Sequence, residues 1–87
     1  MNTPEIVMYA TGWCPYCARA RALLQAKQVP FQEIDVDDPE RRAEMRTRSG
    51  RNSVPQIFIG GKHVGGNDDL QALEAAGELD ALLGRAR

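Results

Sequence analysis

The chain holds only two cysteines and one histidine, and no apolar run in it approaches the ~18 residues of a membrane helix. Two cysteines cannot build the bridge-dense scaffold of a small secreted domain, whose several disulfides close long loops. A single histidine and one cysteine pair leave a four-ligand zinc site short of donors. An excess of either charge is also missing: 11 Lys and Arg face 12 Asp and Glu, for a net charge of −1. That balance excludes the electrostatic footprint of a nucleic-acid binder and the polybasic patch of a membrane anchor. The start, Met1-Asn2-Thr3-Pro4-Glu5, shows no basic segment followed by an apolar one, so the expectation is a cytoplasmic protein without a secretory leader.

What is present is globular. With 43% hydrophobic and 26% charged residues, the composition is that of a folded domain rather than a disordered tail. At 87 residues the chain has room for one modest core, so residues 1–87 are read as a single domain. No long exposed apolar stripe calls for a second copy, and a monomer is expected.

Glu5-Ile6-Val7-Met8-Tyr9 reads as a short buried strand. Ala10-Thr11-Gly12-Trp13 is a loop, and Pro15 stands at a helix start, where its missing N–H costs nothing. Cys17, Ala20, Leu23 and Leu24 then share one face of an amphipathic helix that runs to about Gln28 and is stopped by Pro30. Phe31–Val36 alternates as a second strand. Asp38-Pro39 opens a charged helix whose thin apolar stripe is Ala43 and Met45, and Gly50 ends it. Val54–Ile59 is a third strand, turning through Gly60-Gly61 into Lys62-His63-Val64. Asn67 or Asp68 caps a helix carrying Leu70 and Leu73, and Leu79, Leu82 and Leu83 mark a short last one. The order β-α-β-α-β-β-α-α predicts an α/β fold: a parallel crossover plus an antiparallel hairpin, in a mixed four-stranded sheet with helices on both faces.

The cysteines lie three apart, in Cys14-Pro15-Tyr16-Cys17, at the junction of a strand and a helix. Cys14 meets the unpaired N–H groups and the dipole of a helix N-terminus, which favour a thiolate. Cys17, one turn on, is within reach of it. A disulfide between them would close too short a loop to stabilise the chain appreciably. Two inert buried cysteines and half of a metal site remain alternatives, but a nucleophilic thiol with a second thiol beside it is the arrangement for thiol–disulfide exchange.

Beside this motif stand Arg48-Ser49-Gly50-Arg51, Ser53-Val54-Pro55-Gln56-Ile57-Phe58-Ile59 and Gly65-Gly66-Asn67-Asp68-Asp69-Leu70. In this order and spacing the blocks resemble the small bacterial dithiol glutaredoxins across nearly the whole chain. The resemblance implies a thioredoxin-like fold, and glutathione as a reducing co-substrate with no permanently bound cofactor or metal. It implies that Pro55 is cis and faces the cysteines, where the residues alone also leave open a trans proline starting an edge strand. Val54 would then pair through its backbone with the cysteinyl part of glutathione. Asn67 and Asp68 match the positions that hold its γ-glutamyl end, a role compatible with helix capping by Asp68 and Asp69.

Tyr16 matches a tyrosine bordering the glutathione groove, and Ser53 stands for the family's usual threonine. Thr11 occupies the place of a lysine that meets the glycyl carboxylate, so the resemblance implies that this contact is lost or weakened. Arg42 matches another carboxylate-binding position, against the plain alternative of a solvated arginine in a charged run. Trp13 is reminiscent of thioredoxin, whose motif carries Gly-Pro between the cysteines rather than Pro-Tyr.

The activity expected from these features is glutathione-dependent reduction of protein disulfides and of glutathione mixed disulfides, with glutathionylated or disulfide-containing proteins as partners. Two alternatives belong to other classes: a module bridging a [2Fe–2S] cluster, which Pro15 disfavours because glycine accompanies cluster binding in the family, and a thioredoxin-like reductant.

Overall fold

The computed structural model describes residues 4–84; Met1–Thr3, part of the start read above for a leader, lie outside the described residues. The elements are β1 (Ile6–Ala10), α1 (Pro15–Ala26), β2 (Gln32–Asp35), α2 (Pro39–Ser49), β3 (Gln56–Ile59), β4 (Lys62–Gly65), α3 (Asn67–Ala75) and α4 (Leu79–Leu82). The sheet order is β2-β1-β3-β4, with β1 parallel to β2 and antiparallel to β3, and β3 antiparallel to β4. This is the mixed four-stranded sheet expected from the order of elements.

β1 is central and buried on both faces, so its alternation divides the core in two. Ile6, Met8 and Ala10 join Cys17, Ala20 and Leu24 of α1, Leu70 of α3 and Leu79 of α4 in the larger cluster. Val7 and Tyr9 face the other way, onto Phe58, Val36 and Met45 of α2. Met45 alone of α2 is buried, and Ala43 is exposed, so the helix rests on the sheet by an even narrower stripe than its sequence suggests. Polar contacts supplement it: the Tyr9 hydroxyl donates to Glu44 and accepts from Arg48, whose guanidinium lies 4.2 Å above the Phe58 ring. Lys27, at the end of α1, pairs with both Glu74 of α3 and Asp80 of α4.

β1 and β2 differ from the sequence reading by a residue at their ends, and three further element ends depart for a local reason. α1 ends at Ala26, ahead of Pro30, because Gln28 turns into the left-handed region with φ 58°. The N-cap of α3 is Gly66 rather than Asn67 or Asp68; the Asp69 carboxylate reaches back and accepts the Gly66 N–H at 2.9 Å. β3 begins at Gln56, leaving Val54 and Pro55 outside the ladder, and the peptide bond between those two residues is cis.

Candidate active site

Cys14 occupies the N-cap of α1 with extended backbone (φ −87°, ψ 123°), and Pro15 follows at the first helical position. The motif thus sits where β1, the fully buried centre of the sheet, delivers the chain to a helix N-terminus. Both cysteines are free thiols and buried. Burial opposes ionisation of Cys14, but the backbone N–H groups of Cys17 and Tyr16, the Cys17 thiol and the charge of Arg21 together bring its pKa below that of an ordinary thiol. Cys17 goes the other way. Burial, with the neighbouring Cys14 adding to it, pushes its pKa up to about 11 against a lowering by Thr11. One sulfur is therefore disposed to be the anion and the other to keep its proton, a division that suits an attacking and a resolving thiol.

The Cys14 thiol points at the Val54 carbonyl oxygen, 4.0 Å away. Val54 also lines a groove of about 240 Å³. Tyr16, Ser53 and Pro55 line it with Val54, together with Gly66, Asn67 and Asp68 at the start of α3. Six of the residues expected to bind a ligand are therefore brought to one place. The α3 end carries the N–H groups of a helix N-terminus, suited to a carboxylate.

Gly65 has to be glycine here: its φ is 123°, and a Cβ would collide with the Asp69 carboxylate that caps α3. That carboxyl is held below the usual range, chiefly by the Gly66 N–H it accepts and with help from Arg51. Large apolar side chains also mark the outside of the motif, with Trp13 71% and Tyr16 51% exposed beside Cys14.

Two expected positions lie elsewhere. Arg42 does not line the groove; its guanidinium donates to the Val36 carbonyl at 3.3 Å, to the Asn52 carbonyl at 2.9 Å and to the Asn52 side chain at 3.3 Å. These contacts make it a brace under the loop that leads into Ser53 and Val54 rather than a solvated charge. Thr11, at the lysine position, is 1% exposed and faces the interior.

Two residues that the sequence reading passed over do line the groove. Arg51 supplies a cation there, its guanidinium 3.4 Å from the Asp69 carboxylate. Gln56 is 1% exposed, donates to the carbonyl and hydroxyl of Ser53, and accepts from His63 at 2.7 Å. Since Gln56 uses its amide N–H groups on Ser53, its oxygen faces His63, and His63 Nε2 is the donor. His63 is half-buried against Phe58, ring centroids 4.9 Å apart.

Comparison with known proteins decides the family. The glutaredoxin family model matches residues 6–64, spanning both cysteines and the Val54-Pro55 turn. The chain belongs to the glutaredoxin family. It is 62% identical over 81 residues to a glutaredoxin of Pseudomonas aeruginosa, covering 92% of this chain and 96% of that one. Its fold matches the solution structure of glutaredoxin from Brucella melitensis with a TM-score of 0.84 at 54% identity, covering 100% of this chain and 98% of the other. It also matches a buckwheat glutaredoxin–glutathione complex with a TM-score of 0.85 at 29% identity, over 93% and 77% of the two chains. The protein is thus a thiol–disulfide oxidoreductase of thioredoxin-like fold. Among the described residues no helix is long and apolar enough to cross a membrane.

Proposed function

We propose that this protein reduces glutathione mixed disulfides and protein disulfides with glutathione as its electron donor, Cys14 attacking and Cys17 resolving. The observation that carries the reading is the Cys14 sulfur set 4.0 Å from the Val54 carbonyl, beside a groove that leads to the start of α3. A tripeptide whose central residue is a cysteine can lie along Val54 with its sulfur at Cys14, as an added strand pairs with free backbone groups. Its γ-glutamyl carboxylate then meets the N–H groups at the start of α3, and its ammonium meets Asp68. Ser53, Pro55 and Asn67 shape the groove around it, and Tyr16 covers one side. Arg51 offers the charge that Thr11 does not, while Arg42 acts from behind by holding Asn52. The buckwheat relative, solved as a glutathione complex, supports the choice of ligand.

The chemistry is two exchanges. The Cys14 thiolate attacks the glutathionyl sulfur of a protein–glutathione disulfide, the Cys14–glutathione bond forms, and the protein thiolate leaves and takes up a proton. A second glutathione thiolate then attacks the glutathionyl sulfur on Cys14, releasing oxidised glutathione and restoring the Cys14 thiolate. With a protein disulfide, the substrate stays attached through Cys14 until Cys17 displaces it. Such a cycle belongs in a reducing, glutathione-containing compartment such as the cytoplasm.

The test is turnover of a glutathionylated thiol substrate with glutathione and glutathione reductase. Saturable, glutathione-dependent turnover is expected. Turnover supported by thioredoxin reductase and not by glutathione would overturn the choice of reductant.

A further inference from the structure

Thr11 follows the last residue of β1 and is 1% exposed. Its Oγ1 is the only buried side-chain nitrogen or oxygen without a hydrogen-bond partner among the described residues. An unpartnered buried hydroxyl costs folding stability and is rare enough to require a reason. Its surroundings supply one. Cys17 is fully buried in the first turn of α1. The backbone N–H and the hydroxyl of Thr11 act on its sulfur, and both favour a negative charge there. The other titratable or charged groups that act on that sulfur are Cys14, which disfavours the charge, and Arg21, one turn further along α1 and held by Glu33 through two contacts.

We propose that Thr11 is a catalytic residue of the resolving step, its hydroxyl kept without a partner so that it can donate to Cys17 Sγ as that atom becomes a thiolate. The proposal rests on Cys14 and Cys17 being the attacking and resolving thiols. In the step itself the Cys17 thiol loses its proton and its sulfur attacks Cys14 Sγ of a Cys14–S–S–R mixed disulfide. The Cys14–Cys17 bond forms as the bond between Cys14 Sγ and the sulfur of R breaks. R–S⁻ leaves and takes up a proton in place of the one Cys17 lost; Cys17 is oxidised to a disulfide and the departing sulfur is reduced to a thiol. Water has little access to Cys17, so a donor already in place is what can stabilise the charge without reorganisation. A hydroxyl that bonds nothing in the resting thiol state and donates only to the developing anion lowers the barrier rather than the ground state. The position that the resemblance assigns to a surface lysine thus serves the second cysteine here.

The experiment loads Cys14 with glutathione and follows its release as the Cys14–Cys17 bond closes, over a range of pH, in the unmodified protein, Thr11→Val and Thr11→Ser. Thr11→Val keeps the shape and loses the hydroxyl; it is expected to slow closure about tenfold or more, as loss of a hydrogen bond to a charged group does, and to move the pH midpoint of closure upward. Thr11→Ser is expected to recover most of the rate. Thermal unfolding separates this role from a structural one: Thr11→Val should hold or raise the melting temperature while it slows closure. Closure at the unmodified rate in Thr11→Val overturns the proposal, and so does a Thr11→Ser variant as slow as Thr11→Val. Absence of closure in the unmodified protein would instead overturn the two-thiol reading on which the proposal rests.

Discussion

The sulfur of Cys14 stands 4.0 Å from the carbonyl oxygen of Val54, across 40 residues of sequence. Two features of the chain create that approach. Pro15 starts α1 immediately after Cys14, placing the sulfur at a helix N-terminus, and β3 starts only at Gln56, leaving Val54 out of the sheet and facing it. The reactive atom and the edge that would hold a substrate are thus positioned by the starts of two elements, α1 and β3, both packed against β1.

Ionisation of Cys14 is the first expectation. Because N–H groups and the Arg21 charge outweigh its burial, alkylation by iodoacetamide against pH should show a midpoint below the ~8.5 of a free thiol. In Cys14→Ser, the remaining thiol of Cys17 should react slowly and titrate above an ordinary thiol, because its burial persists after the contribution of Cys14 is gone. Interchanged midpoints would invert the assignment of the two thiols.

Groove charges should act on binding rather than on sulfur chemistry. Asp68→Ala and Arg51→Ala are each expected to raise the KM for glutathione several-fold, by roughly 1 kcal/mol of lost binding, with kcat changed less. Arg42→Ala should raise KM only through the loop it braces, together with a lowered melting temperature. A large KM effect from Arg42→Ala at unchanged stability would return that residue to direct contact with the ligand.

Asp69 is expected to matter for stability through its cap. Asp69→Asn weakens the bond accepted from the Gly66 N–H and should cost about 1 kcal/mol or less, since the carboxylate is half exposed. The sign with pH follows from its lowered pKa in the folded protein. The stabilisation is present above the ordinary carboxylate pKa of ~3.9 and is lost as pH falls through the lower folded value. Comparing urea unfolding of the two proteins at neutral and acid pH checks this: the difference should shrink on acidification.

The order of elements was legible because hydrophobic period and turn residues agree along the chain: Ile6 to Tyr9 is apolar throughout, Gly60-Gly61 turns the hairpin, and Asp38-Pro39 opens α2. The groove was legible through local blocks, Cys14 to Cys17, Ser53 to Pro55 and Gly66 to Asp68, each of which stays together in space. What escaped depends on partners distant in sequence or on backbone geometry. Arg42 has the same local surroundings as any arginine of a charged helix; only the folded loop shows that Asn52 takes it.

Gln56 and His63 find each other across β3 and β4, a pairing visible in hindsight as a polar residue inside an otherwise apolar strand. The left-handed turn at Gln28 carries no glycine to announce it. Arg51 had a signal, a lone cation two residues before Ser53, but its aim depends on a loop with no regular period. Thr11 looked like a missing lysine because type alone was compared; its burial is a property of the turn between β1 and α1.

The division of labour between the two thiols underlies both exchanges, and one paired assay isolates it. Cys14→Ser and Cys17→Ser are each assayed on a glutathionylated substrate and on a protein disulfide. Removing glutathione from a substrate needs only the attacking thiol, since a second glutathione clears Cys14; releasing a protein from Cys14 needs the thiol next to it. Cys14→Ser is expected to lose both activities, and Cys17→Ser to keep deglutathionylation while losing most disulfide reduction. A Cys17→Ser protein inactive on both substrates, or a Cys14→Ser protein active on either, would overturn the attacking and resolving roles.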